Sequence, residues 1–294
     1  MSTLAGQATL AAKREASTTG RFKTFLNRYF YFTMSLVMSG VVVAGFSRTV
    51  GDSLFHANPP RPVLLWVHGA AFSAWMIFFI AQSGLVRVHK VSWHRFLGWF
   101  GAGLAATMVV LGCVINVVMT RFHTLQLHEP DGSAFMSIPY ADMIVFGGCV
   151  GLAIYWRKRP DYHRRLLFMA TCQLMDAGFG RFAFVFDHNL FYPLLDLLIV
   201  LGMARDLVVD GRVHKVYLYA LPAMIVVQSV AMYLWRVNPA WWQSITQATL
   251  AYGAAGKKIQ GSVGTKETCG VPIWDINRGW KWVSNARSRS SRVG

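Results

Sequence analysis

Acidic residues are scarce in this sequence, 13 Asp and Glu among 294 positions, and all charged residues together make up only 14 %. A soluble domain carries about 25 %. An ordinary water-soluble globule is therefore excluded, as are a disordered chain and a coiled coil. Cysteine is sparse too: Cys113, Cys149 and Cys172 lie in apolar runs and Cys269 near the C-terminal end, with no CxxC or other metal-binding spacing. Such thiols read as small buried hydrophobes. GxGxxG, GxxxxGK(S/T), HExxH and GxSxG are all missing, which removes the usual classes of soluble catalytic motif. Residues 1–21 are polar and mixed, so they form no cleavable signal peptide, and the first apolar run is expected to stay as an anchor.

Apolar residues dominate, at 54 % of the chain, with a mean hydropathy of +0.37. A helix needs about 20 mostly apolar residues to cross a ~30 Å hydrocarbon core. Seven runs qualify: Tyr29 to Phe46, Val63 to Leu85, Phe96 to Met119, Met136 to Trp156, Leu166 to Phe186, Phe191 to Val209 and Val216 to Trp235. The expected fold is all-α, a seven-transmembrane-helix bundle over residues 29–242. A basic segment precedes it at 1–28, and a flexible basic tail follows at 243–294. The sixth run is the weakest, because Arg205 and Asp206 interrupt it; both are expected to snorkel at the membrane face.

Lys and Arg alternate with the runs, sixteen on the N-terminal side of the membrane and four on the other. By the positive-inside rule the N-terminus is cytoplasmic, the protein sits in the cell (inner) membrane and seven crossings leave the C-terminus outside. Much of the formal net charge of +16 lies in the two tails. That distribution suits the lipid bilayer, with anionic headgroups at the cytoplasmic face, as partner. Trp and Tyr gather at both ends of the runs rather than on one basic face, which argues against nucleic acid. A homo-oligomer stays open.

After the first run the chain reads as three hairpins. Each enters near a proline (Pro62, Pro139, Pro193) and starts its return helix with His followed by a cation: His94-Arg95, His163-Arg164 and His214-Lys215. The first two share the pattern aromatic-His-Arg-x-Leu, a degenerate two-helix repeat. These three histidines should lie at one depth at the cytoplasmic interface. They fit simple topology, a headgroup site with Arg95, Arg164, Arg165 and Lys215 as partners, or a single haem b or quinone. Two rows of small residues on the third run, Gly98, Ala102 and Ala106 beside Gly101 and Ala105, suit close helix packing.

Five ionisable residues fall inside the runs: His68, Asp142, Asp176, Arg181 and Asp196. Intramembrane charges are rare and usually face a bundle interior. His68, Asp142 and Asp196 sit six or seven residues from the outer end, about 8 to 9 Å deep at 1.5 Å per residue. Equal depth on adjacent helices predicts an Arg181–Asp196 ion pair, with Asp176 turned away from Arg181 on an ideal helix. Three carboxyls, one Arg and one His leave a charge deficit, so a carboxyl keeps its proton or a cation binds. Interhelical glue (Arg181 to Asp196, His68 to Asp142), proton or cation handling, and a metal held by His68 with two carboxylates all fit these residues.

The motifs Trp93-His94-Arg95-Phe96-Leu97-Gly98-Trp99 and Tyr162-His163-Arg164-Arg165-Leu166-Leu167-Phe168-Met169-Ala170-Thr171, with Pro62 to His68 ahead of them, resemble a group of small bacterial integral membrane proteins with no assigned activity. The likeness covers about Arg61 to Trp242 and implies a multi-pass bundle without naming a reaction. A comparison with seven-helix zinc hydrolases and receptors of the progestin and adiponectin receptor type fails, since Val216 to Trp235 offers no His ligand. The expected activity is binding or translocation of a proton, cation or small polar solute at an outward-facing site. A membrane redox protein using haem b or quinone at the cytoplasmic-side histidines is the alternative, and a non-catalytic scaffold a third.

Overall fold

The computed structural model describes residues 2–251, 271–275 and 279–283, with side chains between 20 and 251 apart from 53. Helix α1 spans Ser2–Phe46, so the basic segment 1–28 and the first apolar run share one rod. Helices α2 (Val63–Arg87) and α3 (Val91–Leu125) form a hairpin, and a 3₁₀ turn at Ser133–Met136 leads into α4 (Ser137–Tyr155). Then come α5 (Pro160–Gln173), two short helices α6 (Asp176–Phe179) and α7 (Ala183–Asp187), α8 (Phe191–Asp210), α9 (Lys215–Val237) and α10 (Ala240–Ala251).

Local chemistry marks several of these boundaries. Pro160 opens α5, where its missing N–H costs nothing, and Asp161 follows in the first turn near the positive end of the helix dipole. Helix α8 ends at Gly211, whose φ of 71° is the left-handed conformation that glycine adopts without a Cβ clash. His214 caps α9, its Nδ1 accepting from the Val216 backbone N–H.

Stretches Gly20–Phe46, Val63–Arg87, Val91–Leu125, Ser133–Tyr155 and Lys215–Val237 are long and apolar enough to cross a membrane. The other two expected spans differ. Leu166 to Phe186 is not one helix: the rod breaks after Gln173, resumes for one turn at Asp176 and breaks again before Ala183. The run Phe191 to Val209 is a continuous helix, α8. Its Arg205 and Asp206 are almost fully buried, so the expected snorkelling is corrected.

Large apolar side chains cover the outside, among them Ile77 (68 % exposed), Phe96 (71 %) and Ile144 (65 %). The interior holds a methionine-rich core, including Met34, Met38, Met76, Met108, Met169 and Met175, together with charged groups. Helix α4 lies at the centre, packed on α3, α5 and α9. Of the two small-residue rows on α3, Gly101 and Ala105 are buried. A Cβ at Gly101 would stand 2.3 Å from the Phe78 ring, whereas Gly98 has open space around it.

Helix α10 crosses the expected tail boundary at 243. It docks on the 3₁₀ turn, where Trp242 Nε1 donates to the Ala134 carbonyl (3.2 Å) and the hydroxyls of Thr246 and Ser133 meet at 3.1 Å. Farther on, strands β1 (Val271–Asp275) and β2 (Gly279–Val283) pair antiparallel, Val271 with Val283 and Trp274 with Trp280. These strands fall within the segment expected to be a flexible basic tail. The remainder of 243–294 lies outside the described residues.

Candidate functional site

Asp142 on α4 is the hub of the polar interior. Its Oδ1 accepts from Gln173 Nε2 on α5 (2.8 Å) and from the Tyr192 hydroxyl on α8 (3.0 Å). Gln228 on α9 donates to Gln173 Oε1 and to Asp196 Oδ1, both at 3.2 Å. The Asp176 side chain lies close by, within electrostatic reach of Asp142. Two carboxyl groups set side by side in a buried site can share one proton.

The break in the fifth expected span builds this arrangement. Gln173 is the last residue of α5 and Asp176 the first of α6, so both polar side chains lie at the interruption. Non-helical backbone at membrane depth is tolerated where protein buries it or a cavity takes it up. Here α1 covers the break: Gly45 approaches so closely that a Cβ there would stand 2.3 Å from the Gly178 carbonyl oxygen.

Three of the five predicted outer residues, Asp142, Asp176 and Asp196, thus share one network. The Arg181–Asp196 ion pair is not formed. Arg181 Nη1 instead donates to the Ala177 carbonyl (3.0 Å), its guanidinium lies 3.7 Å from the centre of the Phe46 ring, and Asp176 is the acid within electrostatic reach. Depth counting assumed an unbroken helix; the breaks redirect Arg181 away from α8. His68 does not meet Asp142 either, and Arg181 is its charged neighbour. Among the described residues no group of three or more His, Cys, Asp or Glu could hold a metal, so the His68 and dicarboxylate metal site is corrected.

Sequence reasoning missed Gln173, Tyr192 and Gln228, which look like ordinary helix residues until the helices are assembled. It also missed a charge network where α5 begins and α8 ends. Arg165 grips Asp206 with Nε on Oδ2 (2.6 Å) and Nη2 on Oδ1 (2.8 Å), and Arg205 Nη1 donates to Asp206 Oδ1 (2.8 Å). Both arginines also reach Asp210 Oδ2 at 3.1 Å, and Arg205 bonds Asn27 of α1. Arg165 is therefore neutralised inside the bundle and is no longer a headgroup partner.

The three histidines of the inner tier do not form a ring. His94 and His163 come together, ring centres 6.2 Å apart, whereas His214 turns to Asp161 Oδ2 (3.1 Å) and the Tyr162 ring. Burial and the neighbouring Arg165 hold the His214 pKa below its ordinary value, with Asp161 only partly opposing them. Burial pushes the Asp161 carboxyl up, but backbone N–H groups and His214 outweigh it and leave the pKa low. An open cleft beside this pair is lined by Asp161, Arg164, Arg165, Asp210, Arg212 and His214.

No family model, curated protein or solved structure matches the chain. Function has to be argued from the site alone.

Proposed function

We propose that this chain is a multi-pass protein of the cell membrane, with seven crossings and a cytoplasmic N-terminus, that binds and releases a proton at Asp142 and Asp176, coupled to movement of a small polar solute or cation. The carrying observation is the pair of neighbouring carboxyl groups at the interruption between α5 and α6, one of them held by Gln173 and Tyr192. Discontinuous helices near the bilayer midplane are a recurrent way to build substrate and ion sites in transporters. Intramembrane acids are the usual proton carriers there. Gln173, Gln228 and Tyr192 hold the acids in register, Arg181 balances one negative charge, and Asp196 supplies a further carboxyl toward α9. The mobile proton belongs to the acid pair, because amide side chains position it and do not carry it.

Infrared spectroscopy of the protein in liposomes tests this reading. A protonated-carboxyl band should change as the pH is varied, and Asp142→Asn and Asp176→Asn should each abolish it while leaving the helical content intact. Folded variants that both keep the parent's band and pH response would refute the proposal.

A further inference from the structure

The inner ends of α2, α3, α4 and α5 meet at a second polar cluster that the carboxyl network does not use. His163 Nδ1 lies 2.9 Å from the Ala153 carbonyl oxygen. A carbonyl only accepts, so Nδ1 carries the ring hydrogen and Nε2 keeps its lone pair. His94 faces the Gln82 backbone, and its Nδ1 is buried without a hydrogen bond. Gln82 is itself more than nine-tenths buried, and both its amide nitrogen and its amide oxygen lack a partner. His94 Nδ1 and both polar atoms of the Gln82 amide are thus buried with no partner in the protein, and His163 Nε2 has a lone pair to offer. Buried polar groups of native proteins are nearly always paired, so the cluster is built for a guest.

The guest's chemistry follows from what is offered. An imidazole whose far nitrogen is tied to a backbone carbonyl is oriented as metal-bound histidines are. Two imidazole nitrogens bound trans to one metal at ~2.0 Å place their ring centres roughly 6 Å apart, and those of His94 and His163 stand 6.2 Å apart at an interplanar angle of 84°. We infer that His94 and His163 take one d-block metal ion between them, with the Gln82 amide at its edge, the ion coming from solution or within a haem. Two protein ligands are the full set, consistent with the absence of any larger donor group among the described residues. His214, the third histidine of the repeat, takes no part.

Full-length protein in detergent, stripped with a chelator, would be titrated separately with Co²⁺, Cu⁺ and haemin. One equivalent should bind, with a low-spin Soret spectrum if haem is the source and a cobalt d–d or copper signal without Soret absorption if a free ion is. His94→Ala should weaken binding at least tenfold, and so should His163→Asn, which keeps a donor for the Ala153 carbonyl and deletes the ligand nitrogen. His214→Ala should bind like the parent. No binding by the folded protein, or binding that survives both substitutions, would overturn the inference.

Discussion

Asp206 accepts from two guanidinium groups in the protein interior, and the order in which its partners matter can be stated. Asp206→Ala leaves two buried arginines with only the half-exposed Asp210 and should cost about 3–5 kcal/mol, the usual penalty for orphaning a buried charge. Arg165→Met should cost less, because Arg205 still neutralises Asp206. Thermal unfolding in detergent measures both, and equal losses would contradict the ordering. His214 and Asp161 set a pH limb outside the bilayer. Both pKa values are lowered by folding, so the folded state binds fewer protons and stability falls with acidity. The His214 contribution is lost as pH drops below about 6.5 and that of Asp161 as it drops below about 4. His214→Gln should remove the upper limb and shrink the lower, because His214 also helps to hold the Asp161 pKa down, as read by unfolding midpoints across pH.

At the scale of elements, the interruption at residues 174–175 decides what was legible. Hydropathy found the fifth segment because the run Leu166 to Phe186 is mostly apolar. It gave no sign of the breaks, because these come from tertiary cover by α1 and from polar partners on α4 and α9. The three carboxyls were visible as rare charges; their amide and tyrosine partners were not, since Gln and Tyr carry no charge to betray them. Arg165 and Asp206 were open to the same equal-depth reasoning that wrongly joined Arg181 to Asp196, and there it would have succeeded, because α5 and α8 are regular at that level. The shared His-Arg pattern also has a physical meaning: His163 ties the start of α5 to the end of α4, and His94 faces the last turns of α2. Gly45→Ala would drive a methyl into the Gly178 carbonyl, backbone that cannot rotate away, and should cost about 1–3 kcal/mol. It should also disturb the infrared signal of the acid pair, since α6 begins with Asp176. Gly40→Ala, with open space around it, should be silent in both measurements.

Across the described residues, large apolar side chains cover the outside while a few charged groups are buried in an apolar core, unlike a water-soluble protein. Composition alone announced this, whereas the number of crossings rests on segments that are short or charged. Thiol labelling of single cysteines placed at Lys158, Asp187 and Arg212, in a background lacking the native ones, checks it. Seven crossings put Asp187 on the opposite face from the other two; labelling of all three from one face would reduce the number to five. The Arg165–Asp206–Arg205 network bears on biogenesis as well. A cation or carboxylate entering hydrocarbon on a lone helix costs about 2.5–3.5 kcal/mol at the centre. Helices α5 and α8 therefore gain by leaving the insertion machinery together, their charges already cancelled. Arg205 also bonds Asn27, so α1, made before that pair, offers the surface onto which it closes.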